Sequence, residues 1–174
     1  MADAPPPRIL AQIEEMMAAK SSDAGLVLAS LEERRNDWGI SPASVGLSLA
    51  RGEYVCFLSD DNGYSPAHFD ELVRTLDHEL DVGFVYSSCR YDGKWILNDA
   101  VPAWGKIDLG QPLFRQQLFD RYLGGGLPFY EYGWDWRMID TFLRNRVQWK
   151  HVDQPTFIFR LASYTDFIPG KGSR

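Results

Sequence analysis

The segment Tyr54-Val55-Cys56-Phe57-Leu58 is apolar at every position and stops abruptly at Ser59-Asp60-Asp61-Asn62-Gly63. A strand that is apolar on both faces suits the centre of a sheet covered on both sides. The stop is built of residues that favour turns. A chain with such a strand must supply two covering layers, and the rest of the sequence offers them. Helical spacing runs over residues 8–20, where Ile9, Ile13, Met16, Met17 and Lys20 follow Pro7. A short helix is expected from Pro42 to Ala50. Another runs from the Ser65-Pro66 start to about Leu80, with Phe69, Leu72, Val73, Leu76 and Leu80 as its buried stripe. Later helices are expected over Pro112 to Tyr122 and Trp134 to Arg146. Leu26 to Ala29, Val82 to Ser87 and Thr156 to Phe159 read as further strands, and Asp92-Gly93 as a hairpin turn. Alternating strands and helices predict an α/β domain with a mixed, mostly parallel sheet flanked by helices.

The 174 residues predict a single domain over 1–174, with 1–7 and 169–174 as frayed termini. A formal net charge of −6 and the lack of a basic patch longer than Arg34-Arg35 argue against a nucleic-acid partner. No apolar run reaches the length of a membrane span, and the N-terminus lacks a signal-peptide core. Cys56 and Cys89 have no metal-site spacing, and the chain reads as a reduced, cytoplasmic protein.

Asp60 and Asp61 fall where the central strand ends and before a helix begins, the place where open α/β sheets bind ligands. Adjacent carboxylates are hard oxygen ligands suited to Mg²⁺ or Mn²⁺, with phosphate oxygens completing the coordination. A divalent cation also offsets the cost of placing two like charges together. The alternative is a turn that is merely acidic.

The surrounding residues narrow this choice. Ala50-Arg51-Gly52-Glu53-Tyr54-Val55, Phe57-Leu58 and Pro66 closely resemble the hallmark run of the family 2 glycosyltransferases. Asp60-Asp61 fall on that family's DxD-type metal motif, with Ser59 and Asn62 at its other acidic positions. Ile107 to Arg115 resembles the segment that precedes the acceptor side of the cleft. Tyr132-Gly133-Trp134-Asp135-Trp136-Arg137 resembles the start of the family's late acidic helix. The resemblance implies a GT-A-like domain that transfers a sugar from a nucleoside-diphosphate sugar, a UDP-sugar being commonest, to a hydroxyl acceptor with inversion. It implies Asp61 and Asp60 as metal ligands, with Asp60, Ser30 and Arg115 also on the nucleotide side. A base must take the proton of the attacking hydroxyl. The family's base position falls on Gly133 or Tyr132, so the role passes to Asp135, with Glu131 as second candidate.

Three departures accompany the resemblance. The chain starts where the family's first helix starts, without the nucleoside-cradling first strand. No Asp-Asp-Gly-Ser follows Leu26 to Ser30. No His follows the last strand. They favour an alternative, a GT-A-like binding or assembly module without activity. A sheet edge left open would invite a second chain, hence a homo-oligomer. A nucleotidyltransferase would share the metal logic but needs a Gly-rich basic loop that is not seen.

Among other residues, His68, His78 and His151 do not have cluster spacing and read as solvated or capping. Gly124-Gly125-Gly126 reads as a helix stop rather than a phosphate loop. Trp104, in an irregular polar stretch, is the best candidate for stacking on a sugar, while other tryptophans read as core. No G-x-S-x-G elbow supports a hydrolase.

Overall fold

The computed structural model describes residues 7–20, 25, 27–91 and 93–159. In chain order these form α1 (Pro7–Lys20), α2 (Ile40–Leu49), β1 (Tyr54–Val55), β2 (Gly63–Tyr64), α3 (His68–His78), β3 (Val82–Tyr91), β4 (Lys94–Ile96), β5 (Pro112–Arg115), α4 (Gln117–Leu123), α5 (Trp134–Arg144) and β6 (Gln148–Ile158). One mixed sheet has the order β1-β5-β3-β6-β2, with β4 paired to the far end of β3. The longest pair, β3 with β6, is parallel, and every other pair is antiparallel. The expected α/β class is therefore observed, but the sheet is not mostly parallel: β2, β4 and β5 run against β1, β3 and β6. β1, β3 and β6 run in one direction, as a parallel sheet requires, but β5 is inserted against them between β1 and β3.

β3 is the structural axis. Its Phe84 and Tyr86 face a large core with Phe114, Phe119, Met138 and Phe142, closed by α2, α4 and α5. Its Val85 faces a smaller core with Leu113, Leu72 and Leu76 under α3. Register places Phe84 opposite Phe114 and Val85 opposite Leu113, so each cross-strand pair belongs to one core. In α5, Trp134, Met138, Ile139 and Phe142 are buried, the spacing of one helical face.

Several expectations are corrected. Pro112 to Arg115 is a strand, not the start of a helix. All four residues are buried, and only a strand between β1 and β3 buries both faces of such a segment. Val27 is 69% exposed and the 27–29 segment forms no strand; Leu26 lies outside the described residues. β1 pairs over only Tyr54–Val55 and has β5 on one side only, so it ends the sheet among the described residues. α3 begins at His68 rather than at Ser65, and Phe69 and Leu80 are exposed while Leu72 and Leu76 carry the stripe. The Tyr91–Lys94 register confirms the hairpin. Residues 1–6 and 160–174, which include all but Pro7 of the predicted frayed ends and the place of the family's terminal His, lie outside the described residues, and Pro7 opens α1 rather than fraying.

His68, expected at the surface, is fully buried. Its ring stacks on Tyr64 at 4.1 Å, and Nδ1 lies 2.8 Å from Thr156 Oγ1. Burial lowers its pKa from the ordinary 6.5 to about 4. The folded ring thus resists a proton that the unfolded chain accepts near pH 6.5. The neutral ring favours the fold above pH 6.5, and that advantage is lost as pH falls from 6.5 towards 4. In urea unfolding across this window, His68→Gln is expected to remove about 3 kcal/mol of the pH dependence; an unchanged slope would contradict the buried neutral ring.

Arg115 is also buried. Its Nε donates to Val82 O at 2.8 Å and its Nη2 to Leu76 O at 2.6 Å, gathering carbonyls at the C-terminal end of α3. Its Nη1 lies 3.6 Å from Glu53 Oε1. Removing the guanidinium leaves two buried acceptors unmet. Arg115→Ala is expected to lower unfolding free energy by about 3 kcal/mol, read from the urea midpoint.

Candidate functional site

A cleft of about 920 Å³ lies between α1, α2 and β1 with its extension, within the size range of ligand pockets. Ile9 and Ile13 of α1 form one wall, and Ala43, Gly46 and Leu47 of α2 another. Val55, Phe57 and Leu58 form the floor, and Trp38 and Trp134 stand at one side. The apolar body ends at Ser59 and Asp60. The α2 wall is held in place by the 36–39 segment. Asp37 Oδ2 accepts the Ser41 N–H at 3.0 Å, Gly39 adopts φ +78°, and Trp38 O accepts the Trp134 indole N–H at 3.0 Å.

The acidic end is a tight turn. Asn62 N donates to Ser59 O at 3.2 Å, which leaves Asp60 and Asp61 as the two central, exposed residues of the turn. Asn62 and Gly63 are buried, and β2 ties the far side of the turn to β6. The turn therefore presents its carboxylates from a fixed base. Among the described residues no three His, Cys, Asp or Glu side chains are grouped to hold a metal ion. The donor set fits a hard divalent cation only if diphosphate oxygens and water complete the shell, which is how Mg²⁺ is commonly held.

Asp108 is the site residue that sequence reasoning passed over. It was read as part of a matching segment and given no role. It lies in the loop before β5, half-buried. Its carboxylate accepts the Gly110 N–H at 2.8 Å, and its own N–H donates to Gln111 Oε1 at 2.6 Å. Gln111 is itself fully buried and donates to Ser87 O and Leu97 O, which anchors the loop to β3. Gly110 has no room for a side chain: a Cβ there would lie 2.4 Å from the buried Phe157 ring. Burial raises the Asp108 pKa, the Gly110 N–H opposes this, and the negative charges of Asp135 and Asp61 raise it further. Asp61 and Asp135 thus act on Asp108 although one lies in the turn after β1 and the other in the first turn of α5. The signal in the sequence was a lone Asp before Leu109-Gly110-Gln111; only its neighbours in space give it weight.

The other site candidates are placed as follows. Asp135 is half-buried in the first turn of α5. Glu131 is exposed and ion-paired to Arg137 at 2.7 Å. Ser30 is exposed, sits at an isolated bridge, and does not line the cleft. Arg115 spends its donors on backbone carbonyls, as described above. Gly133, which with Tyr132 is one of the two positions where the resemblance puts the usual base, adopts φ +81°, and a Cβ there would lie 2.5 Å from the Trp104 ring. Trp104 therefore fills the place of that side chain.

No protein-family model matches the chain, and no curated protein matches it in sequence. Solved structures do match its fold. S. aureus TarS 1–349 in complex with UDP superposes with a TM-score of 0.71 at 15% identity, over 92% of this chain and 50% of that one. The same fragment in complex with UDP-GlcNAc gives 0.67 at 14% identity, over 96% and 51%. The longer TarS structure gives 0.67 over 92% of this chain and 30% of its own. The chain spans about half the length of the TarS 1–349 fragment. At this identity the likeness is one of fold, and the chain accordingly has a GT-A-like α/β fold, a curled mixed sheet flanked by helices.

Proposed function

We propose that this domain belongs to a nucleotide-sugar glycosyltransferase and carries its diphosphate and acceptor side. The observation that carries the reading is the Ser59–Asn62 turn, which closes the cleft at Asp60 and whose Asp61 acts, together with Asp135, on the half-buried Asp108, in a fold that TarS shows with UDP and UDP-GlcNAc bound. In this reading the apolar cleft takes the flat nucleoside and the Ser59–Asn62 turn takes the diphosphate. Asp60 and Asp61 would hold a divalent cation, Mn²⁺ or Mg²⁺, whose charge neutralises the leaving diphosphate. Arg115 and Ser30 are left out of the donor site, because the first is committed to the fold and the second lies off the cleft.

The acceptor hydroxyl must lose its proton as it attacks the anomeric carbon, and an inverting reaction assigns that proton to one base. Asp108 has the raised proton affinity, which makes it the better base in this role, and Asp135, in the first turn of α5, orients the hydroxyl. Glu131, tied to Arg137, is the weaker candidate. A second reading, a binding module without catalysis, is favoured by the indole of Trp104 on Gly133.

Calorimetric titration of UDP with Mn²⁺ is expected to show binding that EDTA and Asp61→Ala each weaken at least tenfold. Metal-independent binding, or none, counts against the placement of the diphosphate. UDP release from UDP-GlcNAc is expected to fall about a hundredfold or more in Asp108→Asn, with the acidic limb of the pH–rate profile lost or displaced. Wild-type rates in both Asp108→Asn and Asp135→Asn would remove the pair from the chemistry. Tight UDP binding without any release would establish the binding module.

A further inference from the structure

A row of aromatic rings runs from the cleft, which Trp38 lines, to the margin of the large core, against which Trp136 packs. Trp38 and Tyr132 meet edge to face with centroids 5.0 Å apart, Tyr132 and Trp104 at 6.4 Å, and Trp104 and Trp136 at 6.5 Å. Trp38 is 67% exposed, Tyr132 67% and Trp104 58%. Such rings are stabilised by leaving water, yet the described residues leave these three mostly open. Their positions are nevertheless fixed. Trp104 rests on Gly133, where a Cβ would stand 2.5 Å from the ring. The backbone of Trp38 is fastened to the indole of Trp134.

The row connects the two parts of the site. Trp38 lines the cleft. Trp104 is four residues from Asp108 on the same loop, and Tyr132 is three residues before Asp135. Rigid rings next to carboxylates are a mixed surface: the rings present large apolar faces, and the carboxylates accept hydrogen bonds. A pyranose has the matching chemistry, with a face of C–H groups and a rim of hydroxyl donors. A polyanionic chain would meet the repulsion of Asp61, Asp108 and Asp135. A purely apolar partner would strip water from those carboxylates with nothing to replace it.

We infer that Trp104, Tyr132 and Trp38 form a stacking platform for a neutral pyranose, the sugar end of the acceptor. Its role as acceptor rests on the glycosyltransferase reading, but the binding itself requires no turnover. The test is titration of the full chain with chitotetraose, cellotetraose and maltotetraose, and separately with a heparin tetrasaccharide, followed by tryptophan fluorescence and saturation-transfer NMR. At least one neutral tetrasaccharide is expected to bind. Trp104→Ala and Tyr132→Ala are each expected to weaken it at least tenfold. Trp104→Phe, which keeps a ring, is expected to bind within about threefold of wild type and guards against loss of fold, which far-ultraviolet circular dichroism checks in each variant. The inference is overturned if none of the three neutral sugars binds, if the heparin fragment binds more tightly than all of them, or if the alanine variants bind like wild type. A parallel UDP titration separates the two readings: sugar binding without UDP binding refutes the nucleotide site and leaves the platform.

Discussion

Eight consecutive residues of β3, Val82 to Cys89, are buried. A strand buried over that length needs partners on both edges and cover on both faces, because its backbone groups have no water to bond. β5 and β6 supply the edges, and α3 on one side with α2, α4 and α5 on the other supply the cover. Everything else is arranged around this requirement. Gly83 has no side chain because a Cβ would lie 2.4 Å from Val147. Arg115 reaches across from β5 to the Leu76 carbonyl of α3 and the Val82 carbonyl of β3, which fastens the small core to the sheet.

The candidate site is a by-product of the same frame. Asp61 lies in the turn between β1 and β2, Asp108 in the loop that enters β5, and Asp135 in the first turn of α5, so the three are placed by elements packed around β3. Like charges brought together repel, and the fold bears this cost where Asp108 is half-buried. Structural use does not account for such a cost, whereas a cationic or hydroxyl-bearing ligand would relieve it. The Trp104–Gly133 contact shows that the site also departs from the pattern its sequence resembles.

Much of the fold was legible. α1, α3 and α5 follow from the helical spacing of apolar residues, and the β3–β4 hairpin follows from Asp92-Gly93. β5 was not legible. Pro112-Leu113-Phe114-Arg115 continues without a break into the α4 pattern, and a short apolar run looks alike in a buried strand and a buried helix. His68 was misplaced for a similar reason: a polar residue at a helix start reads as solvent-facing until Tyr64 and Thr156 are seen to enclose it. In the site, the Asp60-Asp61 turn stood out because the strand before it ends so sharply.

The sequence by itself determined the local matters: an α/β chain, an apolar run ending in an acidic turn, and an amphipathic helix starting at Trp134. These depend on residues near one another along the chain, where period, turn chemistry and charge act directly. Only the tertiary structure decided that β5 lies antiparallel inside the sheet, that Asp108 shares a field with Asp61 and Asp135, and that an indole occupies the space over Gly133. Those facts depend on pairing across 26 to 47 residues of sequence, and contacts at that separation are fixed by the closing of a common core rather than by any local preference.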